Sequence, residues 1–472
     1  MTLVAGFDSS TQSCKVLVTD LDSGQILRQG SAPHPPGTAV DPVKWWNALL
    51  ASVKDAGGIE DVSAISVGGQ QHGMVALDGQ GNVVRDALMW NDTSSHPQVD
   101  SLTEKLGKDE WIRRTGLALL TSFTITKIRW MAENEPENAQ RTEAVVLPHD
   151  YLTWRLTGGG PGNFRAEDLS TDRSDASGTA YWSGATEDYC TDLFEMALGH
   201  SAQLPRVLGP TDIAGHTAAG LPGIPEGIPI GVGGGDNALA ALGLGLEIGD
   251  VGLSLGTSGT VFAPAPDPIH DPSGVISGFA DATGKHLPLA ATLNAARDMD
   301  VVASLLGVTH DQLAEMATTV APGSDGLTLL PYFEGERTPA LPQARASLLG
   351  MSLSNTSPAH LARATIEGML CSQVAMLDAL IDLDVPVNKV FLIGGAAKSA
   401  GVAQILPQIV SLPICLPESG EYVALGAAKQ AVATLTGDFP GWRPESADLP
   451  QAEHHPIIMD QHLAGRASIY GV

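Results

Sequence analysis

The sequence predicts an α/β protein built from two similar lobes, and three observations carry that expectation. Twice a short apolar strand runs into a tight Gly/Ser/Thr turn and returns as another apolar strand. The first copy is Leu3-Val4-Ala5-Gly6-Phe7, the turn at 8–13 and the strand at 14–18; the second is residues 251–255, Gly256-Thr257-Ser258-Gly259 and Thr260-Val261-Phe262. Each hairpin is followed by alternating strand and helix patterns, the signature of α/β layering. At 472 residues the chain also exceeds what one hydrophobic core holds, so two domains are expected.

In the first half, Asp22-Ser23-Gly24 turns the chain into a third strand near 25–29. Asp41 and Pro42 read as N-cap and first residue of a helix carrying Trp45, Trp46, Leu49, Leu50 and Val53 on its apolar side. Residues 62–67 read as a buried strand ending in Gly68-Gly69-Gln70-Gln71-His72-Gly73, with a hairpin turn at 78–82 behind it. The stretch 98–157 is expected to be mostly helical, 158–185 irregular, and the Pro- and Gly-rich 205–230 a connection between lobes. The second half predicts helices near 296–306 and 310–318, a strand at 327–330, and a long helix capped by Ser357-Pro358. A strand at 390–393 then runs into Gly394-Gly395-Ala396-Ala397-Lys398-Ser399, followed by helices from Ala400 and over 424–434, and the last thirty residues read as a peripheral tail.

Acidic residues outnumber basic ones 53 to 26, a formal charge of −27, so the surface field opposes nucleic acid and anionic membrane and neither is expected as a partner. The same field repels free nucleotide, so a nucleotide site must rely on local donors and a metal ion. Cys14, Cys190, Cys371 and Cys415 form no Cys-x-x-Cys pair, which argues against a disulfide framework or zinc knuckle and fits a reducing compartment. The opening residues read as a strand rather than a basic, apolar leader, and no uninterrupted apolar run reaches membrane-spanning length. A cytoplasmic location is the expectation.

Small hydroxyl residues in a turn present N–H and O–H donors together, as a polyphosphate requires. Ser10 and Thr11 in the first turn and Gly256, Thr257 and Ser258 in the second are therefore candidate phosphate contacts, although either turn alone looks like an ordinary hairpin. Asp8 ends its strand facing the turn: it is either a ligand for a phosphate-bridging Mg²⁺, direct or through water, or an Asx-turn residue. Lys15 is a phosphate contact or a solvated strand lysine. Asp236 follows Gly233-Gly234-Gly235 and enters a helix at 238–246, where a carboxylate on bare backbone can take a proton from a substrate hydroxyl. A plain N-cap would not need so many glycines, so the catalytic reading is preferred. The run 394–399 lacks the Gly-Lys-Ser/Thr ending of a P-loop, and its small residues suit a flat ligand such as adenosine, with Gly426 as a second small wall; a close strand–helix turn is the alternative. Gln70, Gln71, His72 and Asp92, beside Trp90, offer the mixed donors, acceptors and aromatic face that a polyol needs, although a lone His in a Gly-flanked loop is more often structural.

Together these motifs resemble the FGGY carbohydrate kinases of the actin-like ATPase superfamily, most closely their xylulose kinase (xylulokinase) branch. The resemblance spans nearly the whole chain in family order: the 8–15 loop, Gln70-Gln71-His72-Gly73, Leu147-Pro148-His149-Asp150-Tyr151-Leu152, Gly233-Gly234-Gly235-Asp236-Asn237, the 255–260 turn, Pro331-Tyr332-Phe333-Glu334-Gly335-Glu336-Arg337-Thr338-Pro339 and the 394–399 run. The Gly-Gly-Gly-Asp-Asn and Gly-Glu-Arg-Thr-Pro runs are specific; the hairpins are not. The resemblance implies two actin-like (ribonuclease H-like) domains around a central cleft, a sugar-binding 1–245 and an ATP-binding 246–472. It implies transfer of the γ-phosphoryl of ATP, with Mg²⁺, to a ketopentose, D-xylulose giving D-xylulose 5-phosphate. Asp236 would be the general base and, with Asp8, a Mg²⁺ position. Gln71, His72, Asp92, Asp236 and Asn237 would contact the sugar; Ser10, Thr11, Lys15, Gly256, Thr257, Ser258, Gly394, Gly395, Ala396 and Lys398 would contact ATP. A homodimer is the assembly to consider. The alternatives are the same chemistry on ribulose, a deoxy-xylulose or a polyol, and a non-catalytic nucleotide-binding regulator on the same frame. Two departures touch the sugar pocket: Gln71 stands where many xylulose kinases have Met, and Thr93-Ser94-Ser95 follows Asp92 where many have Arg.

Overall fold

Leu3–Ser9 shows no apolar/polar alternation and every residue in it is buried, which marks a central strand covered on both faces. In the computed structural model, which describes residues 1–472, this strand pairs antiparallel with Ser13–Asp20 and parallel with Val62–Gly69. Ile26–Pro33 extends the meander beside Ser13–Asp20, and Pro229–Gly231 lies parallel to Val62–Gly69, completing the centre of a seven-stranded mixed sheet. The second lobe repeats the plan. Gly249–Leu255 is antiparallel to Gly259–Phe262, which pairs onward with His286–Thr292, and parallel to Val387–Ile393, beside which Ile414–Pro417 runs parallel. The same succession of pairings in both sheets is the duplication that the hairpins announce.

The helix signals hold where caps were legible. Asp41 accepts the N–H of Val43 at 2.9 Å and starts Pro42–Asp55, which buries Trp45, Trp46, Leu49 and Val53 and half-buries Leu50. Ser357 caps Pro358–Asp382. That helix is long and apolar enough to cross a membrane, yet 78% of its apolar stretch is buried, so it serves as the central helix of the second core. The helices expected near 296–306 and 310–318 are Ala296–Leu306 and His310–Thr318.

Four readings change. The 205–230 stretch is not an interlobe connection: Ile213–His216 and Pro229–Gly231 form the edge of the first sheet, and the lobes are joined after the helix Asp236–Leu244. Strands this short carry little periodicity to read. The 158–185 region contains the strand Ser170–Asp172 and the helix Arg173–Ser177, both buried although polar, so hydropathy could not reveal them. The tail carries the helix Ile457–Tyr470, docked on the second lobe through buried Ile458 and His462. Gly426 walls no nucleotide pocket. It lies in Tyr422–Thr436, a helix from the second half that packs on the first sheet, and a Cβ there would stand 1.9 Å from the carbonyl oxygen of Leu239.

Candidate active site

Asp8 and the glycine turn before Asp236 meet on one strand. Asp8 pairs in register with Gly68, and Gly234 pairs with the same Gly68 from the other side. With neighbouring strands about 4.8 Å apart, the two acidic segments leave the sheet within about 10 Å of each other. Their side chains line one cavity of about 490 Å³, together with Ser10, Asn237, Gly394, Gly395 and Lys398. A larger cavity of about 1130 Å³ shares Asp8 and Ser10 and runs between the lobes. Thr11, Lys15 and Asp92 face it from the first lobe, and Gly256, Thr257, Ser258 and Arg337 from the second.

The turn at Gly233 has φ +89°, open to glycine and costly for other residues. Gly235 is the N-cap of Asp236–Leu244, so Asp236 is the first helical residue rather than the cap. Its carboxylate accepts the N–H of Asn237 at 2.8 Å and the Asn237 amide at 3.0 Å. Burial first, and the charge of Asp8 second, push its pKa up to about 7. Asp8 accepts the hydroxyl of Ser10; burial lifts its pKa to about 6 against that bond and the Lys15 charge. Two buried carboxylates on one cavity, both with raised pKa values, are the arrangement that a bound cation relieves.

Sequence comparison joins this geometry to a known family. The profile of the FGGY family of carbohydrate kinases, N-terminal domain, matches residues 3–243, and that of the C-terminal domain matches residues 251–435. The chain belongs to the FGGY family of carbohydrate kinases. It is 44% identical over 451 residues to a xylulose kinase of Streptomyces rubiginosus, covering 93% of this chain and 89% of that one. It is 30% identical over 475 residues to the xylulose kinase of Escherichia coli (strain K12), covering 95% of each. Among solved structures, the xylulose kinase from Bifidobacterium adolescentis superposes with a TM-score of 0.93 at 45% identity, covering 98% of this chain and 99% of that one. The two lobes are therefore the actin-like domains of a sugar kinase, an ATP-dependent phosphotransferase.

Within this FGGY kinase most expected residues fall on the cleft, and some do not. Gln71, expected to contact the sugar, is buried and lines neither cavity; its Oε1 accepts the Asn237 amide at 3.2 Å, which ties it to the Asp236 turn instead. Asp92 accepts the Thr38 hydroxyl at 2.7 Å and the Ser94 N–H at 2.9 Å; these bonds outweigh burial and hold its pKa below the usual carboxylate value. The Trp90 indole donates to Thr11 at 2.9 Å and so fixes that segment to the first hairpin. His72 lines neither cavity: with φ +69° its ring turns into an aromatic nest, centroids 5.2 Å from Phe123 and 5.6 Å from Phe279. Burial there, with the charges of Lys127 and Arg337, depresses its pKa to about 3. Ala396 points into the second core instead of the nucleotide side. Lys15 is held by Glu421 at 2.5 Å across the lobes, a partner no local pattern could show. Arg337 and Glu336 reach the cavity from the Gly-Glu-Arg-Thr-Pro run, for which sequence reasoning supplied a motif but no role. Also unforeseen is a buried group of His149, Asp150, Asp172 and Asp175 behind the Asp236 turn.

Proposed function

We propose that this FGGY kinase phosphorylates D-xylulose at its terminal hydroxyl, giving D-xylulose 5-phosphate and ADP, with Asp236 as general base. The observation that carries this is the convergence of Asp236 and Asp8 on one cleft, Asp236 on a backbone stripped of side chains by Gly233, Gly234 and Gly235. The Asp236 carboxylate takes the hydroxyl proton as the sugar oxygen bonds to the γ-phosphorus and the bond to the bridging oxygen of ADP breaks. Its pKa of about 7 matches a base working near neutrality. Gln71 and Asn237 hold the carboxylate's surroundings, and Asp92 offers an ionised acceptor across the larger cavity.

The turns with Ser10 and Thr11, and with Gly256, Thr257 and Ser258, face each other across the space that the phosphates would cross. Adenine fits the adjoining cavity of about 390 Å³, lined by Gly394, Lys398, Leu416, Pro417 and Tyr422. Mg²⁺ would supply neutralisation of the phosphate charge; Asp8 and Asp236 are the hard oxygen donors that would hold it, directly or through water, since no group of three His, Cys, Asp or Glu could hold it alone. Lobe closure excludes water that would otherwise hydrolyse ATP.

The choice of sugar rests on the relatives named xylulose kinase. A panel of ketopentoses and polyols in a coupled ADP-release assay tests it: D-xylulose should give the highest kcat/KM, and ribulose, deoxy-xylulose or a polyol outranking it overturns the assignment.

A further inference from the structure

His149 sits in the first turn of Pro148–Leu156 with no exposure. Its Nε2 stands 3.2 Å from Asp150 Oδ1 and 3.3 Å from both Asp172 Oδ1 and Asp175 Oδ2. All three carboxylates are buried. Burial pushes the pKa of Asp150 up to about 6 and that of Asp175 well above the usual carboxylate value, so the cluster costs free energy to bury, a cost that apolar side chains of the same volume often avoid. Stability therefore does not account for the cluster, but its contacts do.

A Cβ on Gly233 would stand 2.6 Å from His149 Nδ1, and one on Gly69 3.0 Å from His149 Cβ, so the ring is packed directly beneath the turn that leads to Asp236 and the strand end that leads to Gln71. Asp172 caps Arg173–Ser177 by accepting the N–H of Ser174 at 2.7 Å and of Asp175 at 3.0 Å. Ser174 in turn accepts the Gly235 N–H on Oγ at 3.1 Å and the Gln71 amide on its carbonyl at 3.4 Å. The cluster thus grips both ends of the turn, Gly233 by packing and Gly235 by a hydrogen bond. Burial alone would leave the imidazole neutral; the three carboxylates outweigh it and push the His149 pKa up to about 9.

We propose that His149, set among Asp150, Asp172 and Asp175, is a positioning residue that fixes the Gly233–Gly235 turn and so the direction in which the Asp236 carboxylate meets the sugar hydroxyl. This rests on Asp236 being the base. A base misplaced by a fraction of an ångström loses turnover while both ligands still bind.

The test is steady-state kinetics of the full chain with D-xylulose and MgATP. His149→Gln removes the charge and should lower kcat about tenfold or more, with both KM values within about threefold of wild type. His149→Lys restores a cation among the three carboxylates and should recover most of that loss. Ser174→Ala, which deletes only the bond to Gly235, should lower kcat in a chain that still unfolds in one cooperative transition at a slightly lower midpoint, and it decides the matter if His149→Gln does not fold. Wild-type kcat in His149→Gln or Ser174→Ala, or no rescue by lysine, overturns the proposal while an inactive Asp236→Asn leaves the base in place. A normal kcat in Asp236→Asn overturns the base assignment and the proposal with it.

Discussion

Gln430 holds Gly233 by both sides of its backbone: Oε1 accepts the Gly233 N–H at 2.7 Å and Nε2 donates to the Gly233 carbonyl at 2.9 Å. The Ser66 hydroxyl donates to the same Oε1 at 2.6 Å. Gln430 lies on the helix Tyr422–Thr436, so the second half of the chain secures the turn that presents the first lobe's carboxylate. Gln430→Leu strands these buried groups, at about 1–3 kcal/mol for each one left unsatisfied. The unfolding midpoint in denaturant should fall accordingly, and an unchanged midpoint would show that water replaces the amide.

Asp236→Asn keeps the size of the side chain and removes the proton acceptor. It should fold normally, bind both ligands by calorimetry, and lose about 10² to 10⁴ in kcat. Near-normal turnover would remove Asp236 from the mechanism.

The raised pKa values of Asp236 (about 7) and Asp8 (about 6) predict two pH effects of opposite sign. A base must be ionised, so kcat/KM should climb from pH 5 to 8 with an apparent midpoint near 7 that belongs to the coupled pair. Stability runs the other way. Because the folded state binds these protons more tightly than the unfolded chain, the contribution is fully present below the ordinary 3.8 and is lost as pH rises through about 6 to 7. Asp236→Asn should therefore melt higher than wild type at pH 8, and the difference should vanish toward pH 4. Equal melting temperatures at pH 8 would show that the carboxylate is better solvated than its burial indicates.

Lys15 and Glu421 are both partly exposed, so their ion pair is worth at most about 1 kcal/mol. Phosphate oxygens must compete with Glu421 for Lys15. Glu421→Gln should lower the KM for ATP by up to about fivefold, the equivalent of that energy, and Lys15→Met should raise it. No change in either variant would place Lys15 outside the phosphate site.

Closure should also be visible in solution. Sugar together with a non-hydrolysable ATP analogue should reduce the radius of gyration in small-angle scattering, because the cavity between the Thr11 and Thr257 turns spans the lobes. An unchanged radius would count against lobe closure during turnover.

Much of this was legible in the chain because it is encoded over short distances. The two hairpins, the Asp41 and Ser357 caps and the glycine turn before Asp236 all depend on neighbours within a few residues, and they stand where the sequence put them. The two acidic residues were readable for the same reason: each ends or begins an element whose direction its own segment dictates. His72 and Ala396 face away from the cleft, which the sequence did not reveal, because a side chain's facing within a Gly-rich loop is decided by what packs against it, here Phe123, Phe279 and the second core.

By itself the sequence determined the duplicated hairpins, the capped helices and the two carboxylates that reach the cleft. Only the tertiary structure decided that Gln430 and His149 hold the same glycine turn from opposite parts of the chain, and that Glu421 occupies Lys15. The physical reason is that local propensity acts between residues adjacent along the backbone. The pairing of buried polar groups is settled only when packed layers bring distant segments within hydrogen-bond reach.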